Sequence, residues 1–218
     1  GFVLRGSEKE VQHASALISF KIKEQQMQLQ QDISGMSGAT EKIHKQITPS
    51  SNAVKKSEGK EMSDSIFKRI QVKVTKGQLH EAQAEVLVIT VDRSLDLTKG
   101  VISSSILEKA GNGVQKELQQ YKGNIVFGQV LKTGVGTLPK PYIAIFHGVL
   151  YVYKEHSDCL EVFQDFLTGC LEDANKKYTS IAFPPIGTGK LRYPKDVVAS
   201  LMFQSVAKFE KAHPTSKL

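Results

Sequence analysis

One stretch, residues 179–196 with the sequence TSIAFPPIGTGKLRYPKD, constrains the fold more than any other. The apolar run Ile181, Ala182, Phe183 is stopped by Pro184 and Pro185. Ile186, Gly187, Thr188 and Gly189 follow, and Pro194 then heads an amphipathic run. A buried strand, a glycine loop and a helix start in that order predict a strand whose carboxyl end opens on a ligand. Glycines let the backbone turn tightly and approach a bound group. Unpaired N–H groups in such a loop and at a following helix N-terminus favour an anion, phosphate first.

The surrounding sequence alternates strand and helix patterns from residue 66 onward. Strands are expected over 70–75, 86–91, 126–133, 142–148 and 181–183, with helices over 103–121, 158–176 and 194–211. In the second helix Leu160, Val162, Phe163, Phe166, Leu167 and Leu171 recur at helical spacing. Strands separated by long helices predict an α/β domain of three layers, α/β/α, with a mixed central sheet and the ligand site at the carboxyl ends of the strands.

Residues 25–65 differ in kind. They are rich in Gln, Ser, Lys and Glu and hold no aromatic residue. Such a segment buries too little apolar surface to offset the entropy of ordering, so a disordered linker is expected. Before it, residues 1–24 open on a short strand-like run, turn at Gly6 and Ser7, and place Val11, Ala14, Leu17 and Ile18 at helical spacing. This strand and helix resemble the end of a KH-like module, without the GXXG loop that grips nucleic acid. The expected organisation is a KH-like remnant over 1–24, the linker over 25–65 and an α/β domain over 66–218.

The formal net charge of +7 and pI of about 9.3 suit an acidic partner, nucleic acid included. Cys159 and Cys170 form neither a metal-binding pair nor a disulfide framework, which points to a reducing compartment and predicts no metal. No apolar run approaches the roughly 18 residues that span a bilayer. A soluble, non-secreted, membrane-free protein is expected, and the Gly1 start suggests a fragment of a longer chain. No GxSxG elbow or GxxxxGK(S/T) loop is present.

Ser180 to Gly189 followed by Tyr193 and Pro194 resembles the phosphate loop of macrodomains, the ADP-ribose-recognition fold. Val74-Thr75-Lys76-Gly77-Gln78-Leu79 resembles that family's opening V-x-x-GD(I/L) element, and residues 85–94 stand where its DVIVNAAN strand stands. Ile106-Leu107-Glu108-Lys109-Ala110-Gly111 resembles its AI-x-x-AAG helix, and KTGVGTLPKPYIAIFHGV its T-x-G-x-LP element. The chain is most similar to macrodomains of multi-macrodomain poly(ADP-ribose) polymerases, or mono-ADP-ribosyltransferases. Relative to them it stops before a last strand and helix, and it lacks the transferase domain.

The resemblance implies a nuclear or cytoplasmic reader of ADP-ribose, free or on proteins, with no separate cofactor. The ligand-binding positions it implies are Gln78, Leu79, Val91, Asp92, Gly100, Val101, Ile102, Pro184, Ile186, Gly187, Thr188, Gly189, Lys190 and Leu191. Gln78 replaces the family's adenine-reading Asp, which removes a charge-assisted hydrogen bond. Asp92 and Ser103 stand where hydrolytic members carry an Asn and, in several groups, an acidic residue. Lys99-Gly100-Val101 replaces a triple glycine. No catalytic residue is expected. Arg192 and Lys190 fit either a diphosphate or solvent, and Tyr193 either the ligand or the core. His147, inside an apolar strand, reads as a hydrogen-bonded core residue. Two alternatives stay open: a mono-ADP-ribosyl hydrolase using Asp92, and a degenerate domain serving as an RNA-binding or scaffold module.

Overall fold

A computed structural model describes residues 2–6, 67 and 69–218. Six strands make one sheet: β1 (Phe2–Gly6), β2 (Val72–Lys76), β3 (Val86–Thr90), β4 (Val130–Thr133), β5 (Ala144–Gly148) and β6 (Ile181–Phe183). Their spatial order is β2-β1-β6-β3-β5-β4. Every pairing is parallel except that of β4 with β5, so the sheet is mixed with one antiparallel edge. Among the described residues there are four α-helices, α1 (Val101–Ala110), α2 (Asn112–Gln119), α3 (Cys159–Asn175) and α4 (Lys195–Ala212).

The central strands are those whose sequence suits burial on both faces. In β3, VLVIT, the first four residues are fully buried, and all five of β5 are buried. Alternation then divides the core in two. Val86, Val88, Phe146, Ile181 and Phe183 face α3 and α4, packing on Phe163, Phe166, Leu167, Met202 and Phe209. Leu87, Ile89, Ile145 and Ala182 face α1 and α2, packing on Ile106, Val114 and Leu118. The three-layer α/β/α architecture follows from this period of two.

Two expectations are corrected in detail. The single helix expected over 103–121 is two, because Gly111 adopts φ 79° and closes α1 by donating its N–H to the Leu107 carbonyl at 2.8 Å. The strand at the start of the chain does not border a separate module. It is an interior strand of the main sheet, paired with β2 on one side and β6 on the other. The KH-like reading therefore finds no support. The expected helix around residues 11–18 and the linker over 25–65 lie outside the described residues.

His147 lies in β5 with no solvent exposure. The Thr133 hydroxyl donates to the Gly134 carbonyl at 3.0 Å, so it accepts from His147 Nε2 at 2.8 Å. Nδ1 is then an acceptor with no partner, and burial pushes the imidazole pKa down to about 3 from 6.5. The folded protein holds this ring neutral, so the stability it contributes is complete above the unfolded-state pKa near 6.5. That contribution is lost as pH falls from there toward 3. At pH 5 the loss is about 2 kcal/mol. The fall in Tm between pH 7 and pH 5 is expected to be about 4–8 °C greater in the native protein than in His147→Leu, at 2–4 °C per kcal/mol for a chain of this size. Equal falls in the two proteins would refute it.

Candidate functional site

The loops that leave β3 and β6 stand side by side at the carboxyl end of the sheet, because the two strands are hydrogen-bonded neighbours. From β3 the chain passes to α1 and α2 on one face. From β6 it passes to α4 on the other. Chains diverging to opposite faces leave a crevice between them, the place where open α/β sheets bind ligands.

One wall of the crevice is residues 184–191. Ile186 is 1% exposed and anchors the loop in the core, with Pro184 also buried. Gly187 turns the chain at φ 74°. A Cβ there would lie 2.8 Å from the Tyr193 ring and 3.2 Å from that of Phe163. Tyr193 is fixed in turn, since its hydroxyl donates to the Cys159 carbonyl at 3.0 Å and its ring packs on Phe163 at 4.8 Å. Burial pushes its phenol pKa well up. Tyr193 thus supports the loop from beneath, the core alternative of the two its sequence allowed. The Thr188 hydroxyl donates to the Pro185 carbonyl at 2.8 Å. Among the described residues, no protein acceptor takes the N–H groups of Gly187, Gly189, Lys190 or Leu191. Four donors without a protein acceptor in one short glycine loop are suited to an anion.

The facing wall is the loop from Val91 to the start of α1. Asp96 caps a short 3-10 turn, Leu97–Lys99, by accepting from Thr98 N at 2.9 Å. Gly100 then begins α1, and a Cβ on it would lie 2.6 Å from Ser103 Oγ. That hydroxyl is buried and donates to the Leu97 carbonyl at 2.8 Å, so Ser103 ties the loop to the helix. Val101 and Ile102, 85% and 37% exposed, stand on the first turn of α1, whose leading N–H groups have no intrahelical acceptor. Lys190 Nζ reaches from the glycine loop to the Lys99 carbonyl at 2.6 Å and joins the two walls.

Asp92 is held by neighbours. Its carboxylate accepts from Ser94 N at 2.9 Å and from the Ser94 hydroxyl, and it pairs with Lys99 Nζ at 3.1 Å. Burial pushes its pKa up, but the Ser94 and Lys99 contacts outweigh this and hold the carboxyl below its ordinary value. A carboxylate so stabilised in its charged form is a poor proton acceptor.

Of the other expected positions, Val91 and Leu79 have their side chains in the core on the α1/α2 face. Gln78 is exposed at the carboxyl end of β2 and begins a 3-10 turn, Leu79–Glu81, with its N–H donating to Glu81 Oε2 at 2.9 Å. His80 in that turn approaches Ser105 of α1 at 3.5 Å, which brings Gln78 to the flank of the helix. Leu191 is half-buried against the α3/α4 core, and Arg192 is exposed at φ 59°.

Sequence reasoning missed the residues that position the Asp92 loop. Gln115 accepts from Leu97 N and donates to the Leu95 carbonyl, both at 2.8 Å, and Gln119 donates to the same carbonyl at 2.8 Å. Their i, i+4 spacing on α2, beside the buried Val114 and Leu118, was the available signal. Lys99, which bonds across the crevice through its carbonyl and to Asp92 through its ammonium, was also missed. An open polar hollow lined by Ser94, Lys99, Leu107 and Gln115 shares Lys99 with the crevice but none of residues 184–191. We place the site at the crevice.

The model of the Macro domain family matches residues 88–202, which contain both walls. The chain belongs to the macrodomain family. It is 33% identical over 153 residues to human protein mono-ADP-ribosyltransferase PARP14, covering 68% of this chain but 8% of that protein. It is 27% identical over 152 residues to the O-acetyl-ADP-ribose deacetylase of Escherichia coli, covering 66% of this chain and 83% of that one. Among solved structures, a variant of the Oceanobacillus iheyensis macrodomain with ADPR superposes with a TM-score of 0.56 at 26% identity, over 61% of this chain and 74% of that chain.

Proposed function

We propose that this macrodomain binds ADP-ribose, free or attached to protein, as a reader within a mono-ADP-ribosyltransferase-type protein, and that it does not hydrolyse its ligand. The observation that carries the reading is the pair of facing donor sets. Four unpartnered N–H groups on residues 187–191 lie across from the first turn of α1, with Lys190 spanning the gap. A diphosphate is an anion of suitable charge and extent for two such sets. In this reading Gln78, at the flank of α1, would meet the adenine and offers a neutral amide where a carboxylate would bind more strongly.

Calorimetric titration of the full chain with ADP-ribose tests this directly. Saturable heat at one ligand per chain is expected, and no heat from a demonstrably folded sample would overturn the reading.

The similarity to O-acetyl-ADP-ribose deacetylases favours a second reading, hydrolysis through Asp92. Against it stands the ion pair and the two Ser94 contacts that hold this carboxylate. Incubation with a mono-ADP-ribosylated protein is expected to release no ADP-ribose above the background of Asp92→Ala. Release abolished by that substitution would establish the hydrolase instead.

A further inference from the structure

Lys190 joins the two walls of the crevice, and its surroundings show how. Lys190 and Leu191 occupy the tip of a four-residue turn, closed by Arg192 N–H donating to the Gly189 carbonyl at 3.0 Å. The turn is tied from the segment after β5, because Tyr153 N–H donates to the Leu191 carbonyl at 2.8 Å. These two bonds fix the backbone of the tip. The Lys190 side chain is exposed, and its ammonium crosses to the Lys99 carbonyl at 2.6 Å. No carboxylate pairs with it among the described residues.

The acceptor is free to take this bond. The Gly100 carbonyl accepts the first helical N–H of α1, from Ser104 at 2.9 Å, and among the described residues no main-chain donor takes the carbonyl before it, that of Lys99. The Lys99 ammonium is engaged elsewhere, on Asp92 at 3.1 Å and on Ser94 Oγ at 2.8 Å. Asp92, Lys99 and Lys190 thus form one polar chain from the end of β3 to the glycine loop. An ammonium carries three donors, and the Lys99 carbonyl uses one of them. The remaining two belong to a cation without a counter-charge, on the same loop as the four unpartnered N–H groups of residues 187–191.

We propose that Lys190 is a strap over the diphosphate site, closed on the Lys99 carbonyl in the free protein and on the ligand in the complex, with the Asp92–Lys99 pair as its anchor. The proposal rests on the ADP-ribose reading above and states how that ligand's entry and exit are controlled. The diphosphate enters the fraction of molecules whose strap is open, which lowers the association rate in proportion. Once inside, it accepts a charge-assisted hydrogen bond that slows its exit. Asp92 is then a positioning residue that acts through Lys99.

The test measures association and dissociation of ADP-ribose by surface plasmon resonance on the full chain, in about 0.5 M salt, where long-range attraction of an anion is screened. Lys190→Met keeps the length of the side chain and removes its donors. Its association rate is expected to rise about threefold or more, as the closed fraction is lost. Its dissociation rate is expected to rise about thirtyfold, as the bond to a charged group is lost. A lysine acting only as a surface charge would not speed association when removed, so an unchanged or lower association rate would overturn the strap. Lys190→Arg restores a charged donor and should keep both rates within about threefold of native. Asp92→Asn should raise both rates, by less than Lys190→Met does, and native rates in that variant would refute the anchor. A second measurement needs no ligand. With lysine side chains isotope-labelled for NMR, the Lys190 ammonium, assigned by its loss in Lys190→Arg, should exchange with solvent about tenfold more slowly than that of exposed Lys116. Equal exchange would overturn the strap. Slow exchange in a protein that fails to bind ADP-ribose would refute the ligand and leave the closure standing.

Discussion

Gly187→Val is expected to weaken ADP-ribose binding about 100-fold or more while leaving the domain folded. The position has φ 74°, where an L-residue costs about 1–2 kcal/mol and a β-branched one more. The added carbon would also stand 2.8 Å from the Tyr193 ring, and that ring cannot retreat without breaking its hydroxyl bond to Cys159 and its packing on Phe163. The loop must therefore rebuild, taking the N–H groups of Gly187, Gly189, Lys190 and Leu191 out of register with α1. A loss of about 2.7 kcal/mol corresponds to the hundredfold change. Titration of native and variant proteins, each checked for folding by its melting profile, measures it. Affinity retained within threefold in the folded variant would show that residues 184–191 are not the ligand's wall.

Much of this site could be read from the chain because its signals are local. A stopped apolar run, two glycines and a proline at a helix start are fixed within 18 residues, and the structure places them as a strand, a turn and α4. What could not be read depends on partners distant in sequence. Ser103 looked like a failed catalytic position until its hydroxyl was found on the Leu97 carbonyl. Asp92 looked available as a base until Lys99 and Ser94 were found on it. The place of Phe2–Gly6 was hidden for the same reason. The run Phe2-Val3-Leu4 states that it is a strand, but not that it will pair between two edges distant from it in sequence.

The two walls also differ in what holds them. The glycine loop is supported from the hydrophobic side, by Ile186, Tyr193 and Phe163, and its polar groups are left outward. The Asp92 loop is held by polar contacts from Gln115, Gln119 and Ser103 to its own carbonyls and amides. Those contacts use groups a ligand would otherwise meet. A donor surface faces a loop that is internally satisfied and that ends in the free N–H groups of the first turn of α1, which suits holding an anion more than moving a proton.

The largest loss of stability is expected from Phe166→Ala, because the α3/α4 layer depends on α3 lying close to β5. Phe166 is fully buried. Its ring approaches Gly148 so closely that a Cβ there would lie 2.4 Å away, so strand and ring are in direct contact. Truncation removes the ring's transfer free energy and leaves a cavity that the strand backbone cannot fill, at about 3–5 kcal/mol. At 2–4 °C per kcal/mol, Tm should fall by about 6–20 °C. Leu160 lies on the same helix and belongs to the same apolar series in the sequence, but it is 41% exposed. Leu160→Ala is accordingly expected to change stability by no more than about 0.5 kcal/mol. Thermal unfolding of the two variants side by side separates true core from helical periodicity, and comparable losses in both would mean that α3 is not oriented as described.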